Sequence, residues 1–213
     1  MVEFSHCPAK WKKPRWRCIS SGALGFALGF SASSAMATGS QTAVVAGGCF
    51  WGVESVFEHV RGVTDVVSGY AGGHRDVLAR PGEYSPGSAE AVRITFDPSQ
   101  ITYQRLLEIF MTVAHDPTQI DRQGPDVGTR YRSAIFPRDK EQREVAEGLL
   151  AQLQSSRAFP RPIATRIENG GFAAADASQQ DFVEKHPTTN YVVINDLPKL
   201  RELNRKYPSL WKS

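Results

Sequence analysis

Cys49 and Glu90 are the side chains of this sequence best placed to act as a nucleophile and an acid. Residues 47–54 read Gly-Gly-Cys-Phe-Trp-Gly-Val-Glu, which sets Cys49 where an apolar run gives way to an amphipathic one. A thiol in the first turn of a helix meets free backbone N–H groups and the positive end of the helix dipole. Both stabilise a thiolate and are expected to lower its pKa below the free value of about 8.5. The flanking glycines and the aromatic pair Phe50 and Trp51 favour a reactive thiol beside an apolar pocket over a buried structural cysteine. Glu90 shares strand parity with Val92, Ile94 and Phe96, while Arg93, Thr95 and Asp97 alternate to the opposite side. An inward carboxyl loses solvation, so its pKa rises and it keeps its proton near neutral pH. A thiolate beside a protonated carboxyl can attack an electrophilic atom and hand a proton to the group that leaves. The structural alternative for Glu90 is an ion pair with Arg132 or Arg166.

The elements that position these groups follow from hydrophobic periodicity. Residues 42–46 form a short β-prone run, Gly47 and Gly48 make a turn, and Val53, Val56, Phe57 and Val60 recur at i, i+3, i+4 and i+7 of a helix. Further strands are predicted at 63–69, 89–96, 130–136 and 162–168. One helix is predicted over 102–114, with Leu106, Leu107, Phe110 and Val113 on a single face. A second, over 139–154, is capped by Asp139 and carries Val145, Leu149 and Leu153. Two glycine- and proline-rich stretches, 69–88 and 115–130, exceed ordinary connection lengths and are expected to wall the site.

Composition narrows the functional classes. The chain has 213 residues and a formal net charge of +3. Its basic excess lies in Lys10, Lys12, Lys13, Arg15 and Arg17, which precede an apolar, small-residue stretch from Ile19 to Ala37. This reads as a signal peptide over residues 1–37, cleaved after Ala35-Met36-Ala37, with an apolar segment too short and glycine-rich to span a bilayer comfortably. The expected products are a single catalytic domain over 38–213 and a periplasmic or secreted location. Without the five leading basic residues and Glu3, 20 basic and 21 acidic residues remain, which gives no support for nucleic-acid binding. Cys7 and Cys18 leave with the leader, so Cys49 stays as a single thiol unable to form an internal disulfide. His6, His59, His74, His115 and His186 are scattered without ligand spacing, and no dinucleotide or phosphate-binding fingerprint occurs, so neither metal nor cofactor is expected.

Gly48-Cys49-Phe50-Trp51-Gly52-Val53-Glu54 resembles the active-site signature of the A-type peptide methionine sulfoxide reductases. Gly69-Tyr70-Ala71-Gly72-Gly73, Ala89-Glu90-Ala91-Val92, Phe96-Asp97-Pro98, His115-Asp116-Pro117, the run Gln123 to Thr129, and Tyr131-Arg132-Ser133-Ala134-Ile135 follow in the family's order, over residues 42–190. The resemblance implies an α+β fold, a two-layer sandwich with a ferredoxin-like mixed sheet core and extensive coil. It implies thiol-dependent reduction of methionine S-sulfoxide, protein-bound and free, in the repair of oxidised proteins. On the matching positions, Cys49 resembles the attacking thiolate and Glu90 the proton donor. Tyr84 and Tyr131 resemble the phenols that bind the sulfoxide oxygen, Phe50 and Trp51 the pocket for the S-methyl group, and Asp126 a contact to the substrate backbone. The family also suggests a monomer.

The chain departs from the pattern in one consequential way. Many members resolve the cysteine sulfenic acid with a second cysteine after a tyrosine matching Tyr191, but here Val192 and Val193 follow and the tail to Ser213 has none. An external thiol, from a thioredoxin- or glutaredoxin-like carrier or a small molecule, is then expected to recycle Cys49. Ser88 and Gln179 stand where histidines are common. Two rival readings remain: a cysteine hydrolase pairing Cys49 with His115 and Asp116, and a non-catalytic reader of oxidised methionine.

Overall fold

The computed structural model describes residues 39–73 and 84–213; residues 1–38, with the expected signal peptide, and 74–83 lie outside the described residues. The first strand, β1 (Gln41–Gly47), runs into α1 (Phe50–Glu58), and β2 (Val63–Gly72) and β3 (Ser88–Phe96) follow. After α2 (Tyr103–Ile109), which continues as a π-turn over Phe110–Ala114, come β4 (Arg122–Gln123), β5 (Asp126–Val127) and β6 (Ser133–Ile135). The remainder is α3 (Lys140–Ser155), β7 (Arg166–Ile167), β8 (Phe172–Ala174), α4 (Phe182–Lys185), a second π-turn over Val192–Asp196, and α5 (Leu197–Lys206).

Six strands form one mixed sheet in the order β7-β6-β1-β3-β2-β8, and β4 and β5 pair separately. All pairings are antiparallel except β6 with β7. The central strand β3 contributes Val92, Ile94 and Phe96 to a core shared with Val53, Val56 and Phe57 of α1, Leu106 and Leu107 of α2, Leu149 of α3 and Leu203 of α5. The other face holds a smaller cluster around Val44, Ala89, Ala91, Ala134 and Phe136. Helices on one face of a mixed sheet give the expected two-layer α+β architecture. Where the side chains alternate between two apolar layers, the register is fixed, because a one-residue slip would exchange the faces.

Local signals account for the helix starts. Thr102 accepts a hydrogen bond from the Arg105 amide at 3.1 Å, and Asp139 accepts one from Gln142 at 2.8 Å, each satisfying an N–H that the first turn leaves free. The strand expected over 130–136 begins only at Ser133, because Thr129–Tyr131 turns as a 3-10 helix. The strand expected over 162–168 contracts to Arg166–Ile167, after a segment interrupted by Pro160 and Pro162. At the C-terminus, Arg61 donates to Leu210 O at 2.7 Å and Lys212 to His59 O at 2.9 Å, so the tail clasps the end of α1.

Candidate active site

The thiol is presented by the turn between β1 and α1. Gly48 adopts φ +92°, and a Cβ there would meet Gln123 at 2.4 Å, so this turn needs glycine on both counts. Cys49 is the N-cap of α1, one position before the helix proper, and is 8% exposed. The next amide, that of Phe50, donates to Glu90 Oε2 at 3.2 Å. Glu90 lies on β3 opposite Tyr70 of β2, faces the helix layer with Val92 and Ile94, and is 5% exposed. Two residues 41 positions apart in sequence are thus joined at the helix N-terminus.

The substrate-free thiol corrects one expectation. Burial, and next the negative charge of Glu90, push its pKa up from 9.0 to about 12, against which the Trp51 amide and the Tyr191 hydroxyl pull down only weakly. Asp196 adds to the rise. The helix end does oppose the shift as expected, but desolvation and two facing carboxylates outweigh one aligned amide. Cys49 therefore rests as a neutral thiol. Burial also raises the pKa of Glu90, against the opposing charge of Arg130 and the Phe50 amide.

Arg130 is the residue that the sequence reading missed. It donates to Glu90 Oε1 at 2.8 Å, and its guanidinium lies 4.7 Å from the Tyr84 ring centroid and 5.3 Å from that of Tyr131. Tyr84 is 38% exposed and packs edge-on against Tyr70, with centroids 5.7 Å apart. Glu90, Tyr84 and Tyr131 thus converge around one cation. The partner is neither Arg132, which pairs with Glu168 at 2.8 Å, nor Arg166, which lies 3.8 Å from Asp121.

An aromatic wall forms the other side. Trp51 stacks on Phe182 with centroids 3.6 Å apart and planes 7° apart, and meets Tyr191 edge-on at 5.8 Å. Its indole N–H donates to Gln179 Oε1 at 3.1 Å, so Gln179 fixes the ring. Phe50 packs against Tyr70 at 5.8 Å. Tyr191 donates to the Asp126 carboxylate, and burial raises the Tyr191 pKa further above its ordinary range. Asp196, 1% exposed and paired with Lys199 at 3.2 Å, approaches α1 through the space left by Gly52, where a Cβ would meet its Oδ1 at 2.1 Å. Asp196 is a further site residue that the sequence did not single out, and Tyr191, read there only as the marker for an absent cysteine, is another. They reach Cys49 from the second π-turn and the residue before it, a distance of about 140 residues that no local pattern encodes.

The hydrolase constellation does not form. His115 Nδ1 contacts Phe110 O at 2.9 Å and Nε2 contacts Ser133 Oγ at 2.7 Å, so both ring nitrogens are engaged away from Cys49. Full burial lowers the His115 pKa to about 4. Asp116 instead caps Thr118 at 2.9 Å and pairs with Arg161 at 3.1 Å. A separate acidic cluster, Glu54, Glu58 and Asp181, lies along α1 and against α4, with one oxygen of each within 4.8 Å of the others. Burial raises Glu54 to about 8 and Glu58 to about 7, so these groups hold protons near neutrality. A cleft of about 670 Å³ near this cluster includes neither Cys49 nor Glu90 in its lining.

Comparison with known proteins converges on one family. The family model described as peptide methionine sulfoxide reductase matches residues 41–210, which extends the resemblance through α5. The chain is 48% identical over 178 residues to peptide methionine sulfoxide reductase MsrA 2 of Mesorhizobium japonicum, an alignment covering 82% of this chain and 91% of that protein. It is 46% identical over 184 residues to the MsrA 2 of Synechocystis, with 84% and 86% covered. Among solved structures, the reduced form of Mxr1 from Saccharomyces cerevisiae superposes with a TM-score of 0.58 at 29% identity, covering 70% of this chain and 87% of that one. Methionine sulfoxide reductase A of Corynebacterium diphtheriae gives 0.54 at 29% identity, with 70% and 76% covered.

Proposed function

The chain belongs to the peptide methionine sulfoxide reductase family and reduces methionine sulfoxide in the repair of oxidised proteins, and from that premise we propose that it does so through a sulfenic acid on Cys49. The observation that carries this reading is the bond from the Phe50 amide to Glu90 at 3.2 Å, which holds a buried carboxyl beside the thiol. The sulfoxide methyl group packs on Phe50 and Trp51, and its oxygen is received by Glu90, Tyr84 and Tyr131. Asp126, oriented by Tyr191, contacts the substrate backbone. Selectivity for the S epimer at sulfur follows the family.

Bond changes balance within the site. Cys49 sulfur attacks the sulfoxide sulfur, and the thiol proton reaches the sulfoxide oxygen by way of Glu90. The substrate S–O bond breaks as the protonated oxygen passes to the Cys49 sulfur and the transient S–S bond opens, releasing methionine and leaving Cys49–S–OH. The substrate is reduced by two electrons and the cysteine oxidised by two. Substrate binding displaces water, and the thiol at about 12 loses its proton only as Glu90 becomes able to take it. An external thiol then attacks the sulfenic sulfur, releases water, and a second thiol frees Cys49. Cys49 is a free cysteine, and Val192 and Val193 occupy the positions after Tyr191. The proposed electron donor is a thioredoxin- or glutaredoxin-like carrier or a small thiol. Free methionine sulfoxide is a second substrate. Export by residues 1–37 places a monomeric 38–213 domain in the periplasm or outside the cell.

The test is release of methionine from an S-sulfoxide peptide, in a single turnover of pre-reduced protein and then at steady state with each reductant. About one methionine per chain, lost in Cys49→Ser and multiplied by an added thiol, is expected. No methionine in the single turnover would remove the mechanism.

A further inference from the structure

Glu90 is held by two donors that favour its ionised form, although the proposed reaction needs it to carry a proton. Both carboxylate oxygens accept hydrogen bonds, Oε1 from Arg130 at 2.8 Å and Oε2 from the Phe50 amide at 3.2 Å. The Arg130 guanidinium also fills the space against the Tyr84 and Tyr131 rings, at 4.7 and 5.3 Å. A sulfoxide oxygen bound by Glu90, Tyr84 and Tyr131 would compete for that same place. Arg130 is held weakly enough to yield: its side chain is 38% exposed, Glu90 is its hydrogen-bond partner through one nitrogen, and its buried Nε has no partner among the described residues.

We propose that Arg130 is a displaceable positioning residue, which docks on Glu90 in the empty site and gives up its place to the sulfoxide oxygen when substrate binds. This rests on Glu90 as the proton carrier. In the empty site the docked cation favours the ionised form of Glu90, and the thiol proton stays on Cys49. Substrate entry removes the cation from Glu90, whose affinity for a proton then rises where the thiol proton must pass. After methionine leaves, Arg130 returns to the carboxylate. The gate thus couples proton transfer to occupancy of the oxygen pocket, and it takes a small, strongly accepting neutral oxygen as its displacing ligand.

The pH profile separates this from a structural role. The charged and titratable groups facing Glu90 are Cys49 at the start of α1, Tyr70 on β2, Asp126 on β5, and Arg130 and Tyr131 on the turn before β6. The reactive form holds one proton between Cys49 and Glu90, and gain of a second proton sets the acid limb. Arg130 opposes protonation of Glu90, so its neutral replacement moves that limb to higher pH. The full chain is compared with Arg130→Gln, Arg130→Met and Arg130→Lys in single turnovers on an S-sulfoxide peptide. Rates at low peptide report the free enzyme, and rates at saturating peptide report the complex. The expected result for Gln and Met is an upward shift of about one pH unit or more at low peptide and none at saturation, with Lys following the parent at both. An unmoved limb at low peptide, or equal shifts at both concentrations, overturns the proposal. Loss of methionine release in Glu90→Gln, measured alongside, tests the proton-carrier reading separately, so a failure in the Arg130 arms falls on Arg130 alone.

Discussion

Arg130 and Arg132 stand two residues apart on one turn, and each pairs with a single glutamate, yet the two pairs are built differently. Arg132 is 8% exposed at its side chain, clasps both oxygens of Glu168 at 2.9 and 2.8 Å, and donates further to Thr129 O and Gly87 O. Arg130 makes one bond to Glu90, and its Nε has no partner among the described residues. The first arginine ties β7, the approach to β3 and its own turn together. The second lies over two phenol rings at the mouth of the candidate site. Equal charges in nearly the same place differ in what they can do because the number of directional bonds, and not charge, decides whether a guanidinium can leave.

The largest expected effect comes from removing the acid that Arg130 touches. Glu90→Gln should slow the first methionine release by about 10²- to 10⁴-fold, with little change in thermal midpoint, because it removes a proton-transfer group while keeping an isosteric acceptor. A rate within a few fold of the parent would dissolve the functional half of the contrast. Next, Arg132→Met should cost about 2–3 kcal/mol, discounted from a fully buried pair because Glu168 is partly solvated. For a domain of this size that is a fall of roughly 5–10 °C in calorimetry, and a fall below about 2 °C would make Arg132 as dispensable as its neighbour.

A third carboxylate sharpens the comparison because Glu54 is 1% exposed and, among the described residues, is bonded by the Asp181 amide and by no arginine. Its pKa rises from 4.5 to about 8, so the native state binds its proton more tightly than the unfolded chain does. The stability linked to that proton is complete below about pH 4.5 and drains away as pH rises to about 8, with Glu58 adding the same sign. Thermal midpoints measured from pH 5 to 8 should therefore decline in the parent and decline less in Glu54→Gln; parallel slopes would mean that Glu54 is not the group responsible. The smallest effect belongs to Arg130→Gln, whose unfolding free energy should stay within about 1 kcal/mol of the parent, because the arginine is partly exposed and the buried Glu90, with its raised pKa, can take up a proton when the cation is lost. A loss as large as that of Arg132→Met would turn Arg130 into a second brace.

Much of the fold was legible because its signals are local. The strand over 42–46, the alternation that turns Glu90 inward with Val92, and the Asp139 cap each depend on residues within a few positions of one another. The helix α5 was also written locally, with Leu200, Leu203 and Tyr207 at i, i+3 and i+7, but it lies beyond the span of the motifs first recognised. By contrast, β8 is a three-residue piece whose pairing with the distant β2 has no period to read. The pKa of Cys49 was misjudged in direction because the helix end is visible in sequence, whereas the burial of the thiol against Glu90, and then Asp196, is not.

The sequence alone determined which chemistry was available: one thiol after residue 37, a carboxyl with inward parity, two aromatics beside the thiol, and no cysteine after Tyr191. Those properties depend on residue identity and short spacing. Tertiary structure decided which charges meet. It brought Arg130 rather than Arg132 or Arg166 to Glu90, Tyr191 and Asp196 to Cys49, and Gln179 to the Trp51 indole. These are contacts across 40 to about 150 residues, and their energies depend on distance and desolvation, which a linear chain does not specify until its sheet and helices are packed.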